Sequence, residues 1–184
     1  MKIYQERLNR YVAALMSDPF MHSWRHLLEL LEAVGQPKVL GFQADMAHTL
    51  LFVLGHNAPK HRLVPDEFHW EPELFHRALK KLSRALRPWM LDFHVAQNDG
   101  TVKGSGTHDK TGRHCPVTDP AGKRNVIRDA GYWLRDDVGK ATCALKHICW
   151  DGCMFSNAVM LKRETWNNIL AAVIQVREHH GWKA

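Results

Sequence analysis

The residues in this chain best suited to chemistry are its cysteines, histidines and aspartates. Cys143, His147, Cys149 and Cys153 offer soft thiolates beside an imidazole, a donor set that suits zinc. Their spacing, C-x3-H-x-C-x3-C, matches none of the usual zinc knuckles. If the stretch is a strand, Cys143 and Cys149 stand about 20 Å apart at about 3.3 Å per residue, and Cys153, opposite Trp150 in a hairpin, faces away from Cys149. The expectation here is buried free thiols, with no metal and no cofactor.

A second group consists of His108, Asp109, His114 and Cys115, in a connection (108–131) that is long for a compact domain. Joined by His94 from a neighbouring strand, its imidazoles and carboxylate would suit a divalent ion or acid–base work on a phosphodiester. The candidate catalytic residues are therefore His94, His108, Asp109 and His114. Adjacent residues seldom present both side chains to one site, which argues against a Cys115–His114 nucleophilic pair. His22 and His26, one turn apart on a helix, read as surface histidines with no joint role.

A third group is Gly122-Lys123-Arg124-Asn125, leading into a short helix from Val126. A glycine and basic residues before a helix N-terminus can cradle phosphate through Lys123 and Arg124. These residues resemble the G-x-R-R-x-x-A box of the ParB and sulfiredoxin-like nucleotide-binding fold, with Asn125 where the second arginine would stand. The resemblance covers fewer than ten residues, and it implies a nucleotide-binding domain. The sequence holds no P-loop, no Rossmann glycine fingerprint and no G-x-S-x-G elbow.

Charge points the same way. The chain of 184 residues carries a formal net charge of +6 and a pI near 9.3, spread evenly over both halves. The sharpest concentration lies on a helix opened by Pro72 and ended at Pro88. There Phe75, Ala78, Leu79, Leu82, Ala85 and Leu86 fall on one side, and Arg77, Lys80, Lys81 and Arg84 opposite, flanked by His76 and Arg87. Such a face suits nucleic acid or an acidic protein surface. With no strong catalytic spacing, the functional expectation is a small, basic, histidine-rich, non-catalytic binding protein that docks on nucleic acid, on protein or on a nucleoprotein. A metal-dependent nuclease or phosphodiester hydrolase built on the His/Asp loop is one alternative, the nucleotide-binding domain implied by the ParB and sulfiredoxin-like resemblance is another, and a homo-oligomer is compatible with each.

The elements that must position these residues follow from hydrophobic period. Helical stripes run over residues 3–16, from Asp18-Pro19 to Gly35, from Lys38 to Leu54 with Gly55 as the stop, over 72–88, and from Glu164 to His180. From Trp89 the period turns to strand. Asp99-Gly100 and Asp151-Gly152 read as hairpin corners, the first placing Leu91, Phe93, Val95 and Val102 on one face. Tyr132–Arg135 reads as a further short strand. The order predicts an α+β fold: an N-terminal helical layer of about four helices (1–88), then a small antiparallel sheet of two Asp-Gly hairpins closed by a C-terminal helix (89–184), packed as one domain. Four cysteines do not make a disulfide scaffold. MKIYQERLNR lacks a secretion h-region, and Val39–Leu54 falls short of a membrane span. A cytoplasmic protein with no membrane partner is the resulting expectation.

Overall fold

The computed structural model describes residues 23–37, 39–104, 111–142, 148–152 and 155–181. The helix expected over 3–16, the Asp18-Pro19 start and His22 lie outside them. Helix α1, Trp24–Val34, is capped by the Ser23 hydroxyl, which accepts from the His26 amide, and it ends at Gly35. Strand β1, Phe42–Asp45, leads directly into helix α2, Met46–Leu54, which Gly55 ends. The expected helix from Lys38 is thus corrected: Val39 and Leu40 form a turn closed on the Gln36 carbonyl, β1 follows, and the helix begins only where Asp45 can cap it. Helix α2 is buried around most of its circumference, as its uniformly apolar sequence requires.

A 3-10 turn at Pro59–His61 precedes helix α3, Pro72–Leu86, whose apolar stripe (Phe75, Ala78, Leu79, Leu82, Leu86) is buried as its period predicts. A second 3-10 turn, Arg87–Trp89, delivers the chain to strand β2, Met90–Val95. Phe93 and Val95 are fully buried, whereas Leu91 is 52% exposed. Leu91 departs from the expected face because one step of β1, from Phe42 to Gln43, is matched by two steps of β2, from Met90 to Asp92. Leu91 is the extra residue of that bulge and turns outward.

Asp99-Gly100 does not close a two-residue hairpin. Strand β3, Gln97–Lys103, runs through it and pairs antiparallel with β4, Thr111–Cys115. Asn98 faces His114 and Val102 faces Gly112, so Asp99, Gly100 and Thr101 bulge opposite Arg113. The positive φ that a turn would have drawn from Gly100 (83°) serves the bulge instead. Helix α4, Val126–Leu134, is capped by Asn125 and replaces the short strand expected at Tyr132–Arg135, where only Arg135 makes an isolated bridge to Ala141.

The second Asp-Gly corner is corrected as well. Strand β5, Cys149–Trp150, pairs parallel with β2 rather than folding back on itself. After Gly152 the chain enters helix α5, Asn157–Met160, capped by the Ser156 hydroxyl, where the returning strand was expected. Helix α6, Arg163–His180, matches the expected last helix, but its buried positions are Ile169, Ala172 and Val176. Trp166 and Leu170 of the same helix are 52% and 59% exposed.

The protein is thus broadly α+β, with a C-terminal helix and a small antiparallel ribbon, β3–β4. Beside that ribbon lies a three-stranded parallel sheet of order β1-β2-β5. Strand β1, from the presumed helical half, pairs with β2 across the boundary drawn at residue 88. Phe93 and Val95 join one core with Leu50 and Val53 of α2, Leu79 and Leu82 of α3, and Trp133 of α4. Among the described residues no helix is long and apolar enough to cross a membrane.

Candidate functional site at the strand ends

Parallel strands share one direction, so their carboxyl ends lie together, and in open sheets that edge is where ligands bind. Here the edge is polar. Asp45 ends β1, His94 lies opposite it near the end of β2, and Asp151 directly follows β5, its amide donating to the Val95 carbonyl at 3.1 Å.

Asp45 serves two neighbours with its two oxygens. Oδ1 accepts from the Ala47 and His48 amides at 2.7 and 2.9 Å, satisfying orphan donors at the start of α2. Oδ2 is buried without a hydrogen-bond partner and faces His94 Nδ1 and His114 Nε2, each at 3.6 Å. His48 comes from the first turn of α2. His114 comes from β4, and the two rings meet edge to face with centroids 4.8 Å apart. Gly112 allows that approach: a Cβ there would lie 2.6 Å from both the Ala47 carbonyl and Asn98 Nδ2. Lacking one, the β3–β4 ribbon settles on the amino end of α2 and brings His114 to His48.

Asp151 Oδ2 lies 3.6 Å from His114 Nε2 and 3.8 Å from His94 Nδ1. His94 Nδ1 is likewise buried without a hydrogen-bond partner, and Nε2 faces Asp92 at 3.5 Å. One ligand atom from each of Asp45, His48, His114 and Asp151 falls within 4.8 Å of all the others. Bonds of about 2.0–2.2 Å set the tetrahedral ligands of one ion about 3.3–3.6 Å apart, so the four atoms would draw together by up to about 1 Å around an ion. Imidazole mixed with carboxylate, without thiolate, suits manganese, iron(II) or zinc.

The electrostatics push Asp45 and His114 in opposite directions, so a cation would have to displace the proton that His114 favours. Burial opposes the charge of Asp45, but the His114 imidazole, the His48 amide and the positive potential of both rings outweigh it and hold the carboxyl below its ordinary value. His114 moves the opposite way: burial lowers it, and Asp45 and then Asp151 more than reverse this, so it stands above the ordinary histidine value. Cys115 neighbours His114 in sequence but alternates to the other face of β4. Burial, with Asp119 and Asp99 adding, pushes its thiol up to about 12, which rules out a thiolate nucleophile at neutral pH.

Of the sequence candidates, the structure brings His94 and His114 together; His108 and Asp109 lie outside the described residues. The same holds for Cys143, His147 and Cys153 of the thiolate group, while Cys149 pairs with His94 along the backbone as a free thiol. Asp45, His48 and Asp151 were missed. Asp45 carried a readable cap signal, an aspartate ahead of Met46-Ala47-His48, hidden by the assumption of one continuous helix. Asp151 was absorbed into a turn, and only the parallel register places it beside His94.

The basic residues divide. Arg77, Lys80, Lys81 and Arg84 are exposed on α3, and Arg84 pairs with Asp137 at 2.6 Å. Arg87 turns inward, donating to the carbonyls of Tyr132 and Arg135 at 3.1 and 2.5 Å. Lys123 holds its ammonium 5.4 Å from the centre of the Trp70 ring. Arg124 corrects the phosphate-cradle reading, because it is 5% exposed and points into the protein. Its guanidinium donates to Asp129 at 3.1 Å and to the Met46 carbonyl, and Gln97 binds its backbone amide and carbonyl at 2.9 and 3.0 Å. It braces the turn that follows Asp45 and offers nothing to an outside phosphate. His26 meets His61 edge to face at 4.8 Å.

Taken together, fold and site define an α+β protein with a His/Asp cluster at the carboxyl edge of a short parallel sheet. Comparison with protein-family models, with curated proteins and with solved structures finds no match.

Proposed function

We propose that the chain is a divalent-metal-dependent hydrolase acting on a phosphodiester. The observation that carries this reading is the convergence of Asp45, His48, His114 and Asp151 within 4.8 Å, with a buried carboxylate oxygen of Asp45 left without a hydrogen-bond partner. Unpaired polar atoms inside a protein are costly, and a bound cation would remove that cost. The ion would polarise the scissile group and lower the pKa of a bound water. Asp45 anchors the centre to the helix cap, His48 and His114 supply imidazole donors, and Asp151 closes the carboxylate side. His94, held between Asp92 and the two carboxylates, fixes their orientation. The positive charge of the chain favours a polyanionic substrate.

The test is incubation of plasmid DNA and of RNA with the full chain and manganese or magnesium, beside Asp45→Asn and His114→Gln. Metal-dependent cleavage by the parent, lost in both variants, is the expected result. Cleavage that survives in both, or that needs no metal, overturns it. One observation favours a second reading, non-catalytic docking on nucleic acid or an acidic protein surface: Arg77, Lys80 and Lys81 are exposed with no carboxylate partner among the described residues. That reading predicts binding with steep salt dependence and no cleavage.

A further inference from the structure

Away from the His/Asp cluster, α3, α4 and the end of α6 enclose a cavity of about 230 Å³. Among the described residues Lys80, Arg87, Arg128 and Arg135 line it with Tyr132 and His180, against two carboxylates, Asp136 and Asp137. Both carboxylates are already engaged. Asp137 pairs with Arg84 at 2.6 Å. Asp136 accepts the Val138 and Lys140 amides at 3.0 and 2.7 Å and so holds its own turn.

The cations are less well matched. Among the described residues Lys80, Arg87 and Arg135 have no carboxylate within ion-pair distance. Arg87 spends Nη1 on two carbonyls and Arg135 spends Nη1 on the Gly139 carbonyl at 3.2 Å. Each guanidinium has five N–H groups, so most of their donors meet no acceptor among the described residues. Arg128 reaches Asp129 at 3.4 Å, but that carboxylate is shared with Arg124. The Lys80 ammonium lies 6.0 Å from the centre of the Tyr132 ring, on the rim of the cavity.

A concave surface in which fixed guanidinium groups and a lysine outnumber their carboxylates matches a compact, multiply charged oxyanion. The carbonyl bonds of Arg87 and Arg135 hold those side chains in place before any ligand arrives, which lowers the ordering cost of binding. We propose that this cavity binds a phosphate monoester, the terminal phosphate either of a nucleotide or of a nucleic-acid strand. None of its residues belongs to the His/Asp cluster, so either site can fail without the other.

The experiment is calorimetric titration of the full chain at low salt with inorganic phosphate, a nucleoside monophosphate, and a short oligonucleotide bearing either a 5′-phosphate or a 5′-hydroxyl. Saturable binding of at least one phosphate monoester is expected. Lys80→Ala and Arg128→Ala, both changes to exposed side chains, should each weaken it about tenfold, the loss of one charge-assisted contact. Binding of the mononucleotide alone identifies a small-molecule ligand, and preference for the phosphorylated strand identifies a strand end. The proposal is overturned if no monoester binds, if neither variant weakens binding, or if no mononucleotide binds and the strand binds equally with phosphate and hydroxyl ends. Should Arg128→Ala fail to fold, Lys80→Ala decides alone.

Discussion

Replacing Asp45 by asparagine separates the two uses of that side chain. Oδ1 caps α2 through the Ala47 and His48 amides, and asparagine caps as well as aspartate does, so the cap survives and the metal-free fold loses only the attraction of Oδ2 for His94 and His114. Oδ2, which faces His94 and His114 at 3.6 Å, becomes an amide group that cannot serve as an anionic ligand. Alanine removes both functions and should cost about 1 kcal/mol more than asparagine for the lost cap. A ligand at one hundred times its dissociation constant stabilises the folded state by about 2.7 kcal/mol. In a chain of 184 residues each kcal/mol moves Tm by about 2–4 °C, so manganese or zinc should raise the parent Tm by about 5–10 °C. The assay is a thermal melt of the parent, Asp45→Asn and Asp45→Ala after chelation, with and without each metal. The expected pattern is a shift in the parent, none in either variant, and a metal-free Tm for asparagine above that for alanine. A full shift in Asp45→Asn, or no shift in the parent with any metal, refutes the reasoning.

Other outcomes follow from particular contacts. Gly112→Ala puts a methyl 2.6 Å from the Ala47 carbonyl and Asn98 Nδ2 and 2.7 Å from a Leu51 methyl. It should cost about 1–3 kcal/mol in denaturant melts and, by lifting His114 from His48, erase the metal shift. Asp129→Asn removes the carboxylate that Arg124, Arg128 and His76 share; with Arg124 left charged and buried, the loss should be about 3–5 kcal/mol. His180 is held below its ordinary pKa by burial first, then by His179 and Arg135, partly offset by its bond to the Ile127 carbonyl. The unfolded chain therefore takes up this proton first, and the stability His180 contributes is lost as pH falls below about 6.5. In urea melts from pH 7.5 to 5, the stability of His180→Gln should decline less steeply than that of the parent. An equal decline removes His180 from the account.

What the sequence revealed and what it concealed divides along a physical line. Local signals survived: Gly35 and Gly55 ended their helices, Pro72 opened α3, and the 3.6 period of Phe75 through Leu86 described its buried face. Signals that need a partner strand did not. Asp-Gly favours a tight turn, but the same backbone freedom also fits a bulge, and β4 decided in favour of the bulge at Gly100. Cys149-Trp150 has the composition of any short strand, and only the open edge of β2 makes it parallel. The site inherits this asymmetry. His94 and His114 were recognisable by residue type, whereas Asp45 and Asp151 acquire meaning only once β1, β2 and β5 run in one direction and end together. The five side chains at that edge come from three strands of one sheet, from the first turn of α2 and from the ribbon that Gly112 lets down upon it. No pairwise spacing in the chain could encode such a set. A site assembled from strand ends is written in the order of the sheet, and a change that shifts the β1–β2 register should therefore disable it without touching any of its five residues.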